Sequence, residues 1–271
     1  MTRKISAIEL NGMFFNTPLM VSDSYFSAVL TSIQARTVAQ MVEANEDDSD
    51  KMEIMGNVAV IPVFGCLSHH KDSGMGGSTY DGIRENKNAA LENPLVTKIL
   101  YDVRSPGGVC AGLFDLTDEI YESRSQKPSF AFVNETANSA AYAIAAATNQ
   151  VVIPRTGEVG SIGVKAIFAD VSKLNQSMGI KFEAIYAGDR KMDFDPKFPL
   201  SKEARAIGQA DVDSTADLFI NTMAKYRRGQ ISGQAIRGTQ AATYRGRDAV
   251  KMGLADVVMA YSEAKKLIMG E

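Results

Sequence analysis

Ser139 opens the run Ser-Ala-Ala-Tyr-Ala-Ile-Ala-Ala-Ala at 139–147, after an apolar stretch from Ser129 to Val133 and the polar Asn-Glu-Thr-Ala-Asn at 134–138. Alanine is the best helix former, so 140–147 reads as a helix with Ser139 at its N-terminus. N–H groups without a helical acceptor and the positive end of the helix dipole gather at that point. A serine there is most often an N-cap. It is also well placed as a nucleophile, because neighbouring N–H groups can hold a developing oxyanion. The local sequence leaves both roles open.

A nucleophilic serine needs a base within hydrogen-bond reach. The two histidines, His69 and His70, are adjacent in a Gly/Ser-rich stretch at 65–78, so a Ser-His-Asp triad would have to draw on that pair. A lysine serves instead when burial lowers its pKa. Most lysines here flank charged or polar segments. Lys191 follows a strand-like run from Lys181 to Ala187 and lies in an irregular stretch, 188–200, with Pro196 and Pro199. Taken alone it reads as a solvated loop lysine. The Ser-Pro-Gly-Gly at 105–108 ends an apolar run, and Gly107 and Gly108 let the backbone turn sharply or approach another group closely. Their N–H groups could complete an oxyanion hole, or the motif is an ordinary strand-to-helix turn. The Gly-rich run at 157–163 lacks the Lys-Ser/Thr pair of a phosphate-binding P-loop and leads into a strand-like stretch. Ser161 within it could orient a nearby amine, or is a turn serine.

The elements that must position these residues follow from periodicity. Val58–Phe64, Val96–Val103, Ser129–Val133, Val151–Ile153, Gly163–Ala169 and Lys181–Ala187 read as strands. Between and after them, helices are predicted at 80–91, 113–121, 140–147, 173–178, 201–228, 231–237, 245–253 and 262–269, with Ser201 as an N-cap. Alternating strands and helices predict an α/β fold with a mainly parallel sheet. Residues 1–56 read as an N-terminal arm: a short apolar stretch, a helix near 24–42 and an acidic linker at 43–53. Residues 57–271 read as the α/β domain that carries the candidate residues.

Composition narrows the function. With 271 residues and 45% hydrophobic content the chain can bury a sizeable core. A net charge of −3 without a basic block gives no support to nucleic-acid binding. Two cysteines and two adjacent histidines argue against a disulfide framework and against a zinc site of ordinary spacing, so neither metal nor cofactor is expected. No run reaches the ~20 apolar residues of a membrane span, which predicts a soluble, non-secreted protein.

In chain order these motifs are SPGG, a serine at a helix start followed by small residues and Tyr142, an intact GSIGV at 160–164, and IYAGDRK at 185–191. That order resembles the signal-peptide-peptidase A family of serine proteases, peptidase family S49, over about Val58 to Val258. The resemblance implies a ClpP/crotonase-like fold with repeated ββα units and a Ser-Lys dyad. Ser139 would be the nucleophile and Lys191 the general base, with Ser161 hydrogen-bonding the lysine amine. Gly108 and the Ala140 N–H would form the oxyanion hole, with Gly107 shaping the turn. FNTPLM at 15–20, SGMGGSTYDGI at 73–83, SPGGVCAGLFD at 105–115 and YRGRDAVKMGLAD at 244–256 resemble more narrowly the head-maturation branch of lambda-like tailed phages. That branch implies a homo-oligomer acting on scaffold, portal or capsid precursors in the host cytoplasm or inside a prohead. Three alternatives stand beside it: a soluble cellular peptidase of signal-peptide remnants, a crotonase-type acyl-CoA enzyme, and a non-catalytic assembly protein.

Overall fold

Four apolar runs pair side by side at the centre of the molecule, because a strand buried on both faces must satisfy its backbone on both edges. In this computed structural model, which describes residues 18–22, 27, 51–70 and 76–270, they are β3 (Val58–Leu67), β4 (Lys98–Val109), β5 (Ser129–Asn138) and β6 (Gln150–Ile153). All four run parallel. β2 (Glu53–Met55) adds antiparallel to β3 at one edge, and β9 (Val257–Val258) adds parallel to β6 at the other. Helices α1 (Tyr80–Glu92), α2 (Leu113–Ser123) and α3 (Ala140–Ala146) make the crossovers. Sequence and structure agree on the α/β class and the mainly parallel sheet.

α3 is the centre of the main core. Every one of its residues is buried, and it packs against β4, β5 and α2. Alanine at most positions lets the helix backbone lie close to the sheet on all sides. The long helix α5 (Lys202–Tyr226) closes this layer with Phe219, Ile220, Met223 and Tyr226. Its start is set by Ser201, whose hydroxyl accepts the Ala204 N–H at 3.0 Å. The short helices α4 (Ser172–Ser177), α6 (Gly233–Gly238) and α7 (Gly246–Lys251) flank it in sequence. The other sheet face is covered by α8 (Tyr261–Met269), with Ala264 and Ile268 over Val58, Leu100 and Phe132.

At the carboxyl ends of the central strands the sheet opens. β7 (Glu158–Gly160) takes up the last residues of β5 and pairs antiparallel with β8 (Thr243–Arg245). β1 (Leu19–Val21) pairs antiparallel with residues 107–109 of β4. Three expectations change here. Ser-Pro-Gly-Gly is not a turn but the last part of β4, because β3 and β1 hold its glycines from either side. Residues 163–169 form no strand, and only Lys165 makes a bridge, to Leu19. Residues 181–187 also form no strand. No edge among the described residues pairs with them, and Ile185 is 102% and Tyr186 55% exposed. The boundary expected after residue 56 has β2 before it and β3 after it, paired to each other. The helix expected near 24–42 and most of the acidic linker lie outside the described residues, apart from helical Ser27.

Candidate active site

Ser139 turns the chain from β5 into α3 in a single residue. Its N–H donates to Gly160 O at 2.8 Å, and its carbonyl accepts the Ala143 N–H at 3.1 Å. Between those two bonds its backbone adopts φ 56° and ψ −119°. A non-glycine residue there carries about 1–3 kcal/mol of strain, which persists only where the surroundings impose it. The same sharp strand-to-helix turn presents the serine of a nucleophile elbow. The hydroxyl makes no cap hydrogen bond, so the capping role fails. Ser139 is 1% exposed and its Oγ has no hydrogen-bond partner among the described residues. An unsatisfied buried hydroxyl costs about 1–3 kcal/mol, a second cost at the same residue.

The glycines of β4 lie against it. Ser105 Oγ donates to Gly65 O at 2.6 Å and accepts the Gly107 N–H at 3.1 Å, which fixes the backbone just ahead of them. Gly107 has φ 111°, and a Cβ there would stand 2.1 Å from Met20 O and 3.0 Å from Ser139 Cβ. On Gly108 it would stand 2.0 Å from Leu67 O. Neither position admits a side chain, so both glycines are required by close approach. Ala140 supplies the first N–H of α3, a donor with no acceptor within the helix. The GSIGV motif holds the other side. Gly160 anchors Ser139, and Ser161, half-buried at φ 53°, donates its N–H to Ala242 O at 3.1 Å.

Lys191 stands apart. It is exposed, and its N–H donates to Gly188 O at 3.0 Å. Since Ser139 Oγ has no partner, neither the Lys191 amine nor a histidine is hydrogen-bonded to it. His69 and His70 stack on each other at 3.8 Å and gather at Asp81, with His70 Nδ1 2.5 Å from Asp81 Oδ2. The His70 hydrogen bond holds the Asp81 carboxyl below its ordinary range. These three residues have ligand atoms within 4.8 Å of one another, but Arg84 already donates to Asp81 at 2.8 Å, a cation where a metal would need an anion.

Two features escaped the sequence. Asn138 Nδ2 donates to Glu158 Oε1 at 2.8 Å, and Glu158 Oε2 accepts from Arg245 Nε at 3.0 Å. These residues line a polar cleft of about 640 Å³ beside the serine. Asn138, a polar residue directly before Ser139 and ahead of an alanine helix, was the one available signal. The other feature is β1, whose seat on Gly107 and Gly108 no local pattern announces.

The family model described as peptidase family S49 matches residues 122–271. Capsid assembly protease C of Escherichia phage lambda is 29% identical over 280 residues, covering 93% of this chain and 63% of that protein. Head-tail preconnector protein GP5 of Enterobacteria phage P21 is 35% identical over 216 residues, covering 78% of this chain and 42% of that protein. The chain thus spans less than two thirds of the length of either relative. A solved structure from Acinetobacter baumannii, of the enoyl-CoA hydratase/isomerase type, superposes with a TM-score of 0.50 at 12% identity, covering 81% of this chain and 82% of that one. That is a likeness of fold alone.

Proposed function

The chain belongs to peptidase family S49, and from that premise we propose that it is a serine endopeptidase working through a Ser139–Lys191 dyad. The observation that carries this reading is Ser139 itself: a strained, buried serine whose hydroxyl has no partner among the described residues, at the start of α3 and against Gly107. Strain and an unsatisfied hydroxyl together are a cost that a merely structural serine would not retain.

In the proposed reaction Ser139 Oγ attacks a peptide carbonyl while the Lys191 amine takes its proton. The oxyanion is held by the N–H groups of Gly108 and Ala140. Lysine then gives the proton to the leaving amine, and water activated by the same amine releases the acyl group. Ser161 orients the amine. For this the exposed segment carrying Lys191 must close over the serine. Its neighbours support closure by a second copy of the chain: Leu174, Met178, Ile180, Phe182, Ile185 and Tyr186 are large apolar side chains exposed ahead of Lys191. Apolar surface of that extent marks a contact surface, and burying the amine there is what a base role requires. We therefore read the active form as a homo-oligomer.

The phage relatives support protein substrates of the scaffold, portal or capsid kind, processed during head maturation in the host cytoplasm or the prohead. Among the described residues no helix is long and apolar enough to cross a membrane. Co-expression with candidate structural proteins, followed by mass mapping of new termini, tests the reading. New termini should appear with the unaltered chain and vanish with Ser139→Ala and with Lys191→Ala. A Lys191→Ala variant that still cuts would remove the dyad.

A further inference from the structure

β1 lies where a substrate would have to lie. It pairs antiparallel with three β4 residues that include Gly107 and the proposed oxyanion-hole Gly108, in the register Leu19 to Val109, Met20 to Gly108 and Val21 to Gly107. Its other edge is also held: Leu19 N donates to Lys165 O at 2.8 Å and Lys165 N to Leu19 O at 3.0 Å. Further along, Ser22 N donates to Pro106 O at 2.9 Å. An extended tripeptide is therefore clamped between the glycine strand and the segment after GSIGV, both of which flank the serine. Met20 O and Ser139 Cβ both stand within 3.0 Å of the point that a Cβ on Gly107 would occupy. Met20 and Ser139 thus both lie against Gly107. Strand addition to an open sheet edge is a general way to bind an extended peptide: main-chain bonds hold it and alternate side chains select it.

In this arrangement Leu19, Met20 and Val21 are at most 5% exposed and Ser139 is 1% exposed. No external peptide can reach the hydroxyl in that state. We propose that β1 is a tethered occupant of the peptide-binding track, resting on the peptidase reading above, and that it must leave before another polypeptide is bound. Its composition then describes the preferred segment: three apolar residues in extended form, with an unbranched one where Met20 stands. The track continues at Ser22 into the cleft lined by Arg104, Glu135, Asn138, Glu158 and Arg245, so polar residues follow the triplet. The chain's own Ser22, Asp23 and Ser24 have that character.

The test uses the full chain carrying Ser139→Ala, so that occupancy is read without cleavage. A synthetic peptide of residues 15–24 is added, and amide hydrogen exchange is followed at Leu19 and Lys165. Saturating peptide should lower Leu19 protection about tenfold while Lys165 keeps its protection, because the peptide replaces the strand at that edge. In a second arm, Leu19→Ser with Met20→Ser in the same background should bind the peptide about tenfold more tightly. Unchanged Leu19 protection in the first arm, or a folded second variant that binds no peptide better, would make β1 a permanent strand and overturn the proposal. The peptidase reading fails separately: a Ser139-intact chain in which peptide displaces β1 but nothing is cut would refute catalysis and leave the track assignment standing.

Discussion

The wall around Ser139 and the segment from Ser172 to Leu200 supply the two halves of one proposed dyad, yet they are built in opposite ways. Around Ser139 every backbone turn is imposed: Gly107, Gly108 and Gly160 sit where a Cβ would come within 2.0–2.6 Å of a neighbouring carbonyl oxygen. Every residue of α3 is buried. From Ser172 to Leu200 the residues are half-buried at most, and residues 179–191 are exposed throughout. Close packing can hold a strained residue at one geometry, whereas an exposed segment has no such constraint. In the proposed dyad the nucleophile would thus be organised by its own chain, and the base would be left for a partner to bring in.

The sharpest way to break that contrast is at the nucleophile. Ser139→Ala should reduce peptide-bond cleavage at least about 10⁴-fold, the scale seen when a nucleophile is removed. Ser139→Gly should be equally inactive, yet melt higher, since glycine tolerates φ 56° and relieves about 1 kcal/mol or more of strain. A thermal melt beside the activity assay checks both. A glycine variant that melts lower would mean the serine is not strained in the folded chain.

Next in size is the wall. Gly107→Ala forces a side chain onto Met20 O at φ 111°, for about 1–3 kcal/mol from the backbone conformation alone. It should lower both melting temperature and activity, and loosen β1 in hydrogen exchange. Wild-type behaviour would show that the close approach is not real.

The exposed segment should respond differently. Ile185→Asp touches no core, so the melting temperature of the isolated chain should change by less than about 0.5 kcal/mol equivalent. The same change should reduce the assembled fraction in analytical ultracentrifugation and lower activity with it. Full activity from a monomeric Ile185→Asp chain would mean that Lys191 closes within its own protomer. The smallest effect is expected at Ser201→Ala, which removes the cap on α5 for about 1 kcal/mol. Urea unfolding measures it, and activity should stay near that of the parent chain.

Much of this was legible from residue order. The alternation of apolar runs with helical stretches requires a mainly parallel sheet, and an alanine run directly after a strand requires a helix starting near Ser139. The paired glycines at 107–108 marked a sharp turn or a close approach without deciding between them, because small size permits both. Lys181–Ala187 misled because alternating apolar residues need an edge to become a strand, and no described segment provides one.

What the sequence determined by itself is the class of the fold and the helix behind the serine. Tertiary structure alone decided that Ser139 stands at positive φ with a hydroxyl unpaired among the described residues, that Leu19–Val21 pairs with Gly107–Val109 beside it, and that Lys191 is exposed. Those outcomes depend on which distant segments meet: Gly160 with Ser139, Met20 with Gly108, Leu19 with Lys165. Contacts between residues tens to more than a hundred positions apart are settled by the packing of the whole chain, and no local pattern encodes them.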